Sequence, residues 1–346
     1  MYTDIKFSEF ILNWFNKFGR KNLPWQINKD PYKIWISEIM LQQTQVKTVI
    51  PYFYRFMKNF PTIYHLSNAS LDEVLFLWSG LGYYKRADNL YKSAKLIVQK
   101  FKKKFPSKFE QLIQLPGIGR STAHAILSFS MQKKFSVLDG NVKRVLSRYY
   151  NISKAVGEKN RLFWKIIEKL TPAINSDKFN QAMMDIGSLI CTSHHPKCIY
   201  CPVKKKCMSY KNGVFIDSSK KKLTKKIIKN KIWFFLLIIN KKKIWLEKRC
   251  SSGIWPNLFC FPQFESQKKL KSWLKHFSSD DKIKILKSFL HVFSHFSLKI
   301  VPIVTNISNI KKNIFHENDG IWYNLTKPQK VGLSIPVKKL LNDIIV

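Results

Sequence analysis

A chain of 346 residues exceeds what one hydrophobic core ordinarily serves, so two domains are expected. Its 45% apolar and 14% aromatic content excludes a mainly disordered chain, and no apolar run approaches the roughly 20 residues of a membrane span. The 61 Lys and Arg against 21 Asp and Glu leave a net charge of +40, which points to a polyanionic partner; only eight of the basic residues are Arg, and both halves share the excess, so a binding surface has to be argued from position.

The opening MYTDIKFSEF lacks the charged-then-apolar layout of a secretion signal, and a soluble cytoplasmic protein is expected. Up to about residue 212, apolar residues recur at three- and four-residue spacing. The spacing predicts helices over 7–18, 34–46, 71–77, 87–98, 121–131, 142–149, 162–170 and 180–189, with no convincing strand. Residues 213–230 are rich in Lys with little to bury and read as a basic linker. From about 231 the pattern turns to short β-branched and aromatic runs, with a helix near 268–277, as in a separate α+β domain.

Several stretches could carry chemistry. Glu38 interrupts the apolar run 34–41; a carboxyl desolvated among Trp35, Ile39 and Met40 has a raised pKa and suits a general acid, whereas the ordinary fate of Glu is an exposed or paired position. Gln42, Gln43 and Gln45 follow with amides able to meet base edges. In 80–86, Tyr83 and Tyr84 lie beside Lys85 and Arg86, a pairing that can wedge between bases, although one tyrosine packing in a core is the plainer reading. In 115–129 a Gly-x-Gly hairpin opens a helix, and Gly117 and Gly119 can take backbone angles closed to other residues, so that N–H groups converge on a phosphate. Simple capping is the alternative.

Twenty residues past Gly119 comes Asp139, in a turn that opens a helix carrying Lys143, Arg144 and Arg148, cations suited to phosphates. Cys191, Cys198, Cys201 and Cys207 then form a C-x6-C-x2-C-x5-C run. Four thiolates so spaced can hold zinc or a [4Fe-4S] cluster, and the spacing does not separate the two.

Taken together, LPWQ at 23–26, WISEIMLQQTQV at 35–46, GLGYY at 80–84, LPGIGRSTA at 115–123, LDGNVKRVL at 138–146, FNQAMMDIG at 179–187, the cysteine run and FSHF at 293–296 resemble the helix-hairpin-helix DNA glycosylases with an iron–sulfur cluster, and more narrowly the adenine DNA glycosylase (MutY) family. The resemblance implies a multi-domain fold, an all-α helix-hairpin-helix glycosylase domain with an iron–sulfur module followed by an α+β Nudix-like C-terminal domain. The divisions would be 1–212 (a six-helix module over about 23–135, and a cluster module of 1–22 plus 136–212), the linker 213–230, and a lesion-recognition domain over 231–346.

By the same resemblance, Glu38 would protonate N7 of a flipped adenine, Asp139 would stabilise the charge developing on the deoxyribose, and Asn141 would orient Asp139 or the water. Trp25, Gln26, Leu41 and Gln181 would line the adenine pocket. Gln42, Gln43, Tyr83, Gly117, Gly119, Ser121 and Lys143 would meet DNA, Phe293, Ser294 and His295 would sense 8-oxoguanine, and the four cysteines would hold one [4Fe-4S] cluster. The partner would be double-stranded DNA with adenine opposite 8-oxoguanine or guanine, bound by a monomer with no membrane involved. Relatives that also cut the strand carry a lysine where this chain has Ser121, which implies a monofunctional enzyme with water as nucleophile.

Two departures stand out. The C-terminal part lacks the glutamate-rich Nudix box, which argues against diphosphate hydrolysis. After Trp255 the chain has Pro256 and Asn257 in place of the family's usual glycine pair. The rival readings are a glycosylase-lyase for oxidised pyrimidines, a catalytically silent DNA-binding protein, and a Nudix hydrolase with a DNA-binding arm.

Overall fold

A computed structural model describes residues 4–152, 156–213, 229–277, 283–293, 296–306 and 320–345. The chain forms two compact units, Met1–Asn68 with Asn89–Leu223, and Ala69–Asp88 with Thr224–Val346. Most of the expected linker lies outside the described residues. Among the described residues no helix is long and apolar enough to cross a membrane.

The first unit is helical: α1 (Asp4–Phe18), α2 (Pro31–Leu41), α3 (Val46–Asn59) and α4 (Ile63–Asn68) come first. The helix expected over 34–46 ends at Leu41, and the next begins only at Val46. Gln42 leaves helical geometry and Gln43 takes a left-handed backbone, φ 59°, so the chain turns between α2 and α3. Pro51 lies inside α3, where it removes one backbone donor, which is why the sequence reads poorly as a helix there.

The second unit takes α5 (Leu71–Trp78) out of this half of the chain. Its start is a capping box in which Ser70 and Glu73 exchange hydrogen bonds. The first unit resumes within α6 (Lys85–Lys100) and continues with α7 (Phe109–Leu112), α8 (Arg120–Met131), α9 (Gly140–Tyr149), α10 (Val156–Leu170), α11 (Ser176–Asp185) and α12 (Met208–Lys211), a π-helical turn over Ile186–Ile190 following α11.

Two packing arrangements matter for function. Helix α2 buries Trp35, Ile36, Ile39 and Met40 and packs on α3 and α8. Helix α1 packs on α10 and α11, and one apolar cluster joins Phe7, Ile11 and Phe15 to Val142 and Leu146 of α9, Ile167 of α10, and Phe179 and Met183 of α11. Cys191, Cys201 and Cys207 lie against that same cluster.

In the second unit the strands are β1 (Lys229–Asn240), β2 (Lys243–Lys248), β3 (Phe259–Cys260), β4 (Gln263–Phe264), β5 (Lys284–Ile285), β6 (Phe289–Val292), β7 (Phe296–Asn306) and β8 (Gly320–Asn324). They form a mixed sheet with the path β3-β2-β1-β7-β5, in which β4, β6 and β8 pair with β1, β7 and β2. The central pair β1 and β7 is parallel, from Lys229 opposite Phe296 to Ile239 opposite Asn306. Buried on both faces, β1 reads as a near-continuous apolar run. Helix α13 (Gln267–Phe277) lays Leu270 and Leu274 against Leu236, Ile238, Trp245 and Ile303, and α14 (Ile335–Ile345) ends the chain. Helix α5 belongs here through Ser79 Oγ, which accepts from Leu333 N at 3.1 Å, and an ion pair of Asp72 with Lys248 at 2.9 Å.

Candidate active site and cysteine cluster

Helix α2 is started by Asp30, whose Oδ1 accepts from Tyr32 N at 2.9 Å, with Pro31 at its first position. Glu38 lies two turns along, half-buried between the buried Ser37 and Ile39. Burial raises its pKa to about 8, and the nearby charge of Asp139 adds to the rise.

Asp139 precedes α9, where it caps the helix and is a charge felt by Glu38. Its Oδ1 accepts from Val142 N at 2.8 Å and its Oδ2 from Asn141 Nδ2 at 2.9 Å. Burial raises its pKa, while these hydrogen bonds and the Arg144 charge pull it back towards the ionised form. Two side chains fix the approach to it. Ser121 Oγ accepts from Leu138 N at 3.2 Å, and buried Asn180 accepts from Val137 N at 3.0 Å while donating to Phe135 O and Ser128 Oγ at 2.7 and 2.9 Å. Asn180 was visible in the sequence only as part of 179–187, and nothing there marked it as the anchor of this turn.

Arg144 and Arg148, expected to face phosphates, instead turn inward. Arg144 donates to Asn141 Oδ1 at 2.9 Å, to Cys191 O at 2.7 Å and to Gly187 O. Arg148 is buried and donates to Thr192 O at 2.7 Å, Ser193 O at 3.0 Å and Cys191 Sγ at 3.4 Å. The backbone carbonyls freed where the chain leaves α11 through a π-helical turn need donors, and two guanidiniums on adjacent turns of α9 supply them. Lys143, on the same helix, remains half-buried with no such role.

The pocket-lining expectations fall together in part. Gln26 Nε2 donates to Gln181 Oε1 at 2.8 Å across 155 residues of sequence, and Gln26 Oε1 accepts from Leu23 N at 3.1 Å. Trp25 is buried edge-on against Phe53, ring centres 5.3 Å apart, and Leu41 is half-buried at the end of α2. Gln42 Nε2 reaches Thr122 Oγ1 at 3.4 Å, and Gln43 is exposed.

At the hairpin the two glycines differ. Gly117 has φ +81° and would set a Cβ 3.0 Å from Asn89 Cβ, so it is required by backbone and space alike. Gly119, free to take unusual angles, instead caps α8 in ordinary extended geometry, φ −92°, with nothing within 4 Å of a Cβ. Its lack of a side chain leaves the helix N-terminus uncovered rather than permitting a turn. In the second unit Tyr83 is 49% exposed, whereas Tyr84 is buried, its hydroxyl accepting from Gly80 N at 3.2 Å and donating to Leu333 O at 3.5 Å.

Cys191, Cys198, Cys201 and Cys207 line one cavity, walled also by Ile190, Tyr210 and Arg148. Among the described residues no three His, Cys, Asp or Glu are arranged as ligands of a single ion. Burial pushes Cys201 up to about 12 and raises Cys198 and Cys207, with the other thiols adding to the rise. Four thiols around one cavity, with the Arg148 guanidinium on Cys191 Sγ to offset negative sulfur, fit a thiolate-ligated metal group that binds with loss of protons.

Phe293 is half-buried in an aromatic group, stacked on Phe296 at 4.3 Å and 5.5 Å from Trp255; Ser294 and His295 lie outside the described residues. Asn257, standing where a glycine was expected, takes φ 61°, a left-handed conformation that Asn tolerates better than other non-glycine residues, and its N–H donates to Cys250 O at 3.1 Å. Just before α13, Glu265 is paired with Lys269 at 3.1 Å.

Comparison with known proteins places these observations. Residues 36–169 match the HhH-GPD superfamily base excision DNA repair protein model, and 234–343 match the NUDIX domain. An adenine DNA glycosylase of Buchnera aphidicola subsp. Baizongia pistaciae is 52% identical over 344 residues, covering 99% of this chain and 97% of its own. Among solved structures, a thermostable thymine-DNA glycosylase superposes with TM-score 0.57 at 27% identity, over 61% of this chain and 97% of that one. Endonuclease III in a non-covalent DNA complex shares the fold of the helical part, with TM-score 0.52 at 20% identity over 62% of this chain and 99% of that one. The chain therefore belongs to the adenine DNA glycosylase family of base excision repair, a helical HhH-GPD part followed by a NUDIX-fold part.

Proposed function

We propose that the protein excises adenine mispaired with 8-oxoguanine or guanine, as a monofunctional glycosylase working as a monomer on duplex DNA in the cytoplasm. The observation that carries the reading is a pair of carboxyls with separated protonation states, Glu38 raised to about 8 and Asp139 held by two hydrogen-bond donors beside Arg144. In this reading residues 1–212 excise the base and 231–346 read the opposite one.

The steps follow from those protonation states. Glu38 gives its proton to N7 of the flipped adenine, so the C1′–N9 bond breaks with a neutral base as leaving group. The Asp139 carboxylate stabilises the positive charge left on the sugar, held in place by Asn141. Water adds to C1′ as the ionised Glu38 carboxylate takes up its proton, which yields the abasic site and restores the acid. Ser121, being a hydroxyl that already accepts from Leu138 N, offers no amine for strand scission. Trp25, Gln26, Leu41 and Gln181 line the adenine site; Gln42, Gln43 and Tyr83 fill and probe the vacated stack; Gly117, Gly119, Ser121 and Lys143 meet the backbone. Phe293, Ser294 and His295 read the opposite base. Cys191, Cys198, Cys201 and Cys207 would hold one [4Fe-4S] cluster, which would tie the segment 191–207 together.

Single-turnover excision on duplexes with adenine opposite 8-oxoguanine, guanine or thymine, and thymine glycol opposite adenine, read with and without hot alkali, tests this. Strand breaks at mispaired adenine that need alkali, with the thymine pair spared, are expected. Nicking at thymine glycol without alkali would replace the reading with that of a glycosylase-lyase.

A further inference from the structure

The loop that carries Tyr83 is braced by Arg86 together with Trp78. Tyr83 has a left-handed backbone, φ 49°, which a tyrosine adopts only when neighbours enforce it, and yet its ring stands 49% exposed. Arg86, the second residue of α6, is buried at 9% exposure. Its guanidinium lies between two rings, 5.5 Å from the centre of Trp78 and 5.3 Å from that of Tyr83. Its Nη2 donates to Gly82 O at 3.2 Å, and Trp78 Nε1 donates to the same carbonyl at 3.1 Å. The Arg86 N–H closes the turn by donating to Tyr83 O at 2.9 Å.

We propose that Arg86 is a positioning residue that presents Tyr83 to DNA: it fixes the preceding carbonyl and stacks on the ring, so the ring is ordered before the duplex arrives. A planar group with several donors can bind a carbonyl at its edge while stacking on rings with its face; an ammonium cannot do both. The inference rests on Tyr83 as the residue that probes the gap in the duplex. It adds a function for a buried cation that takes no part in the base chemistry. Ordering a probe in advance lowers what binding must supply, so the effect belongs in DNA affinity and not in the bond-breaking rate.

The test uses the full chain with 3-fluorotyrosine placed at position 83, in the wild type, Arg86→Met and Arg86→Lys. In the free protein, a single 19F resonance that shifts and broadens in both variants is expected, with melting temperature checked to show that the fold persists. A resonance unchanged in Arg86→Met would overturn the brace, whatever happens on DNA. Single-turnover titrations on mispaired duplex then give half-saturation and limiting rate separately. Arg86→Met should raise half-saturation by about twofold to thirtyfold, the range of a cation–π contact, with the limiting rate within about twofold of wild type. In a Tyr83→Leu background the same substitution should add nothing. An equal loss in that background would mean that Arg86 acts elsewhere and would overturn the proposal. Tyr83→Leu that binds as wild type, with the 19F shift still present, would instead remove Tyr83 as the probe and leave the brace standing.

Discussion

Asn141 Nδ2 donates to Asp139 Oδ2 at 2.9 Å, while Asn141 Oδ1 accepts from Arg144 at 2.9 Å, so the carboxylate that opens α9 is oriented by an amide that is itself held. Gly187 makes this possible. A Cβ at that position would lie 2.5 Å from Asn141 Cβ.

Gly187→Ala is therefore expected to displace Asn141 and tilt Asp139, lowering the single-turnover excision rate on the order of a hundredfold. Arg144→Met should act in the same direction by releasing the Asn141 amide. Wild-type excision in Gly187→Ala, with the variant folded by circular dichroism, would show that the amide has no hold on the chemistry.

Removing either carboxyl's function should stop excision while leaving binding of mispaired duplex intact. Glu38→Gln loses the proton donor and should cost about a hundredfold to ten-thousandfold. Asp139→Asn retains an oxygen able to cap α9 but loses the charge, and a loss of about a hundredfold or more is expected. Excision at the wild-type rate by either variant would refute its assigned role.

The pH dependence has a definite sign. With Glu38 raised to about 8, the rate should hold up to that pH and then fall tenfold per unit as the acid ionises. Stability follows the same group: the folded state binds this proton more tightly than the unfolded chain between pH 4.5 and about 8, so its contribution is present at low pH and is lost as pH rises through that window. Glu38→Gln should thus be more stable than wild type at pH 9, by on the order of a few kcal/mol, with the difference vanishing near pH 4. Parallel melting curves at every pH would contradict this.

The two hairpin glycines should separate in their effects. Gly117→Ala meets both a forbidden backbone and Asn89, and a loss of about 1 kcal/mol or more in urea unfolding is expected. Gly119→Ala has space and ordinary angles, so folding should barely change, whereas duplex affinity should fall about fivefold, roughly one hydrogen bond at the covered helix end.

Metal analysis decides what the cysteine cavity holds. About four irons and about four acid-labile sulfides per chain are expected, against a single zinc for the alternative. Because Cys191, Cys201 and Cys207 abut the apolar cluster shared by α1 and α9–α11, Cys201→Ser should lower both the iron content and the melting temperature.

The chemistry-bearing residues were legible in the sequence where local pattern suffices. A glutamate inside an apolar run announces its own desolvation, and the change from helical to alternating spacing near 231 separates the helical from the sheet-bearing part. Orientation was a different matter. Lys143, Arg144 and Arg148 read alike as phosphate ligands, and only the carbonyls left by the π-helical turn after α11 drew the two arginines inward. Likewise Tyr83 and Tyr84 are equivalent in sequence, until the amide of Gly80 and the carbonyl of Leu333 bury one of them and leave the other exposed.

What the sequence determined by itself was the family, the two kinds of structure and, taken one at a time, a glutamate inside an apolar run and an aspartate at a helix start, because each depends on residue type and short spacing. Tertiary structure alone decided that residues 69–88 pack with the C-terminal strands, that Gln26 meets Gln181, and that Arg86 lies between Trp78 and Tyr83. Periodicity reports that a position is buried; which partner it is buried against depends on how distant segments close on one another.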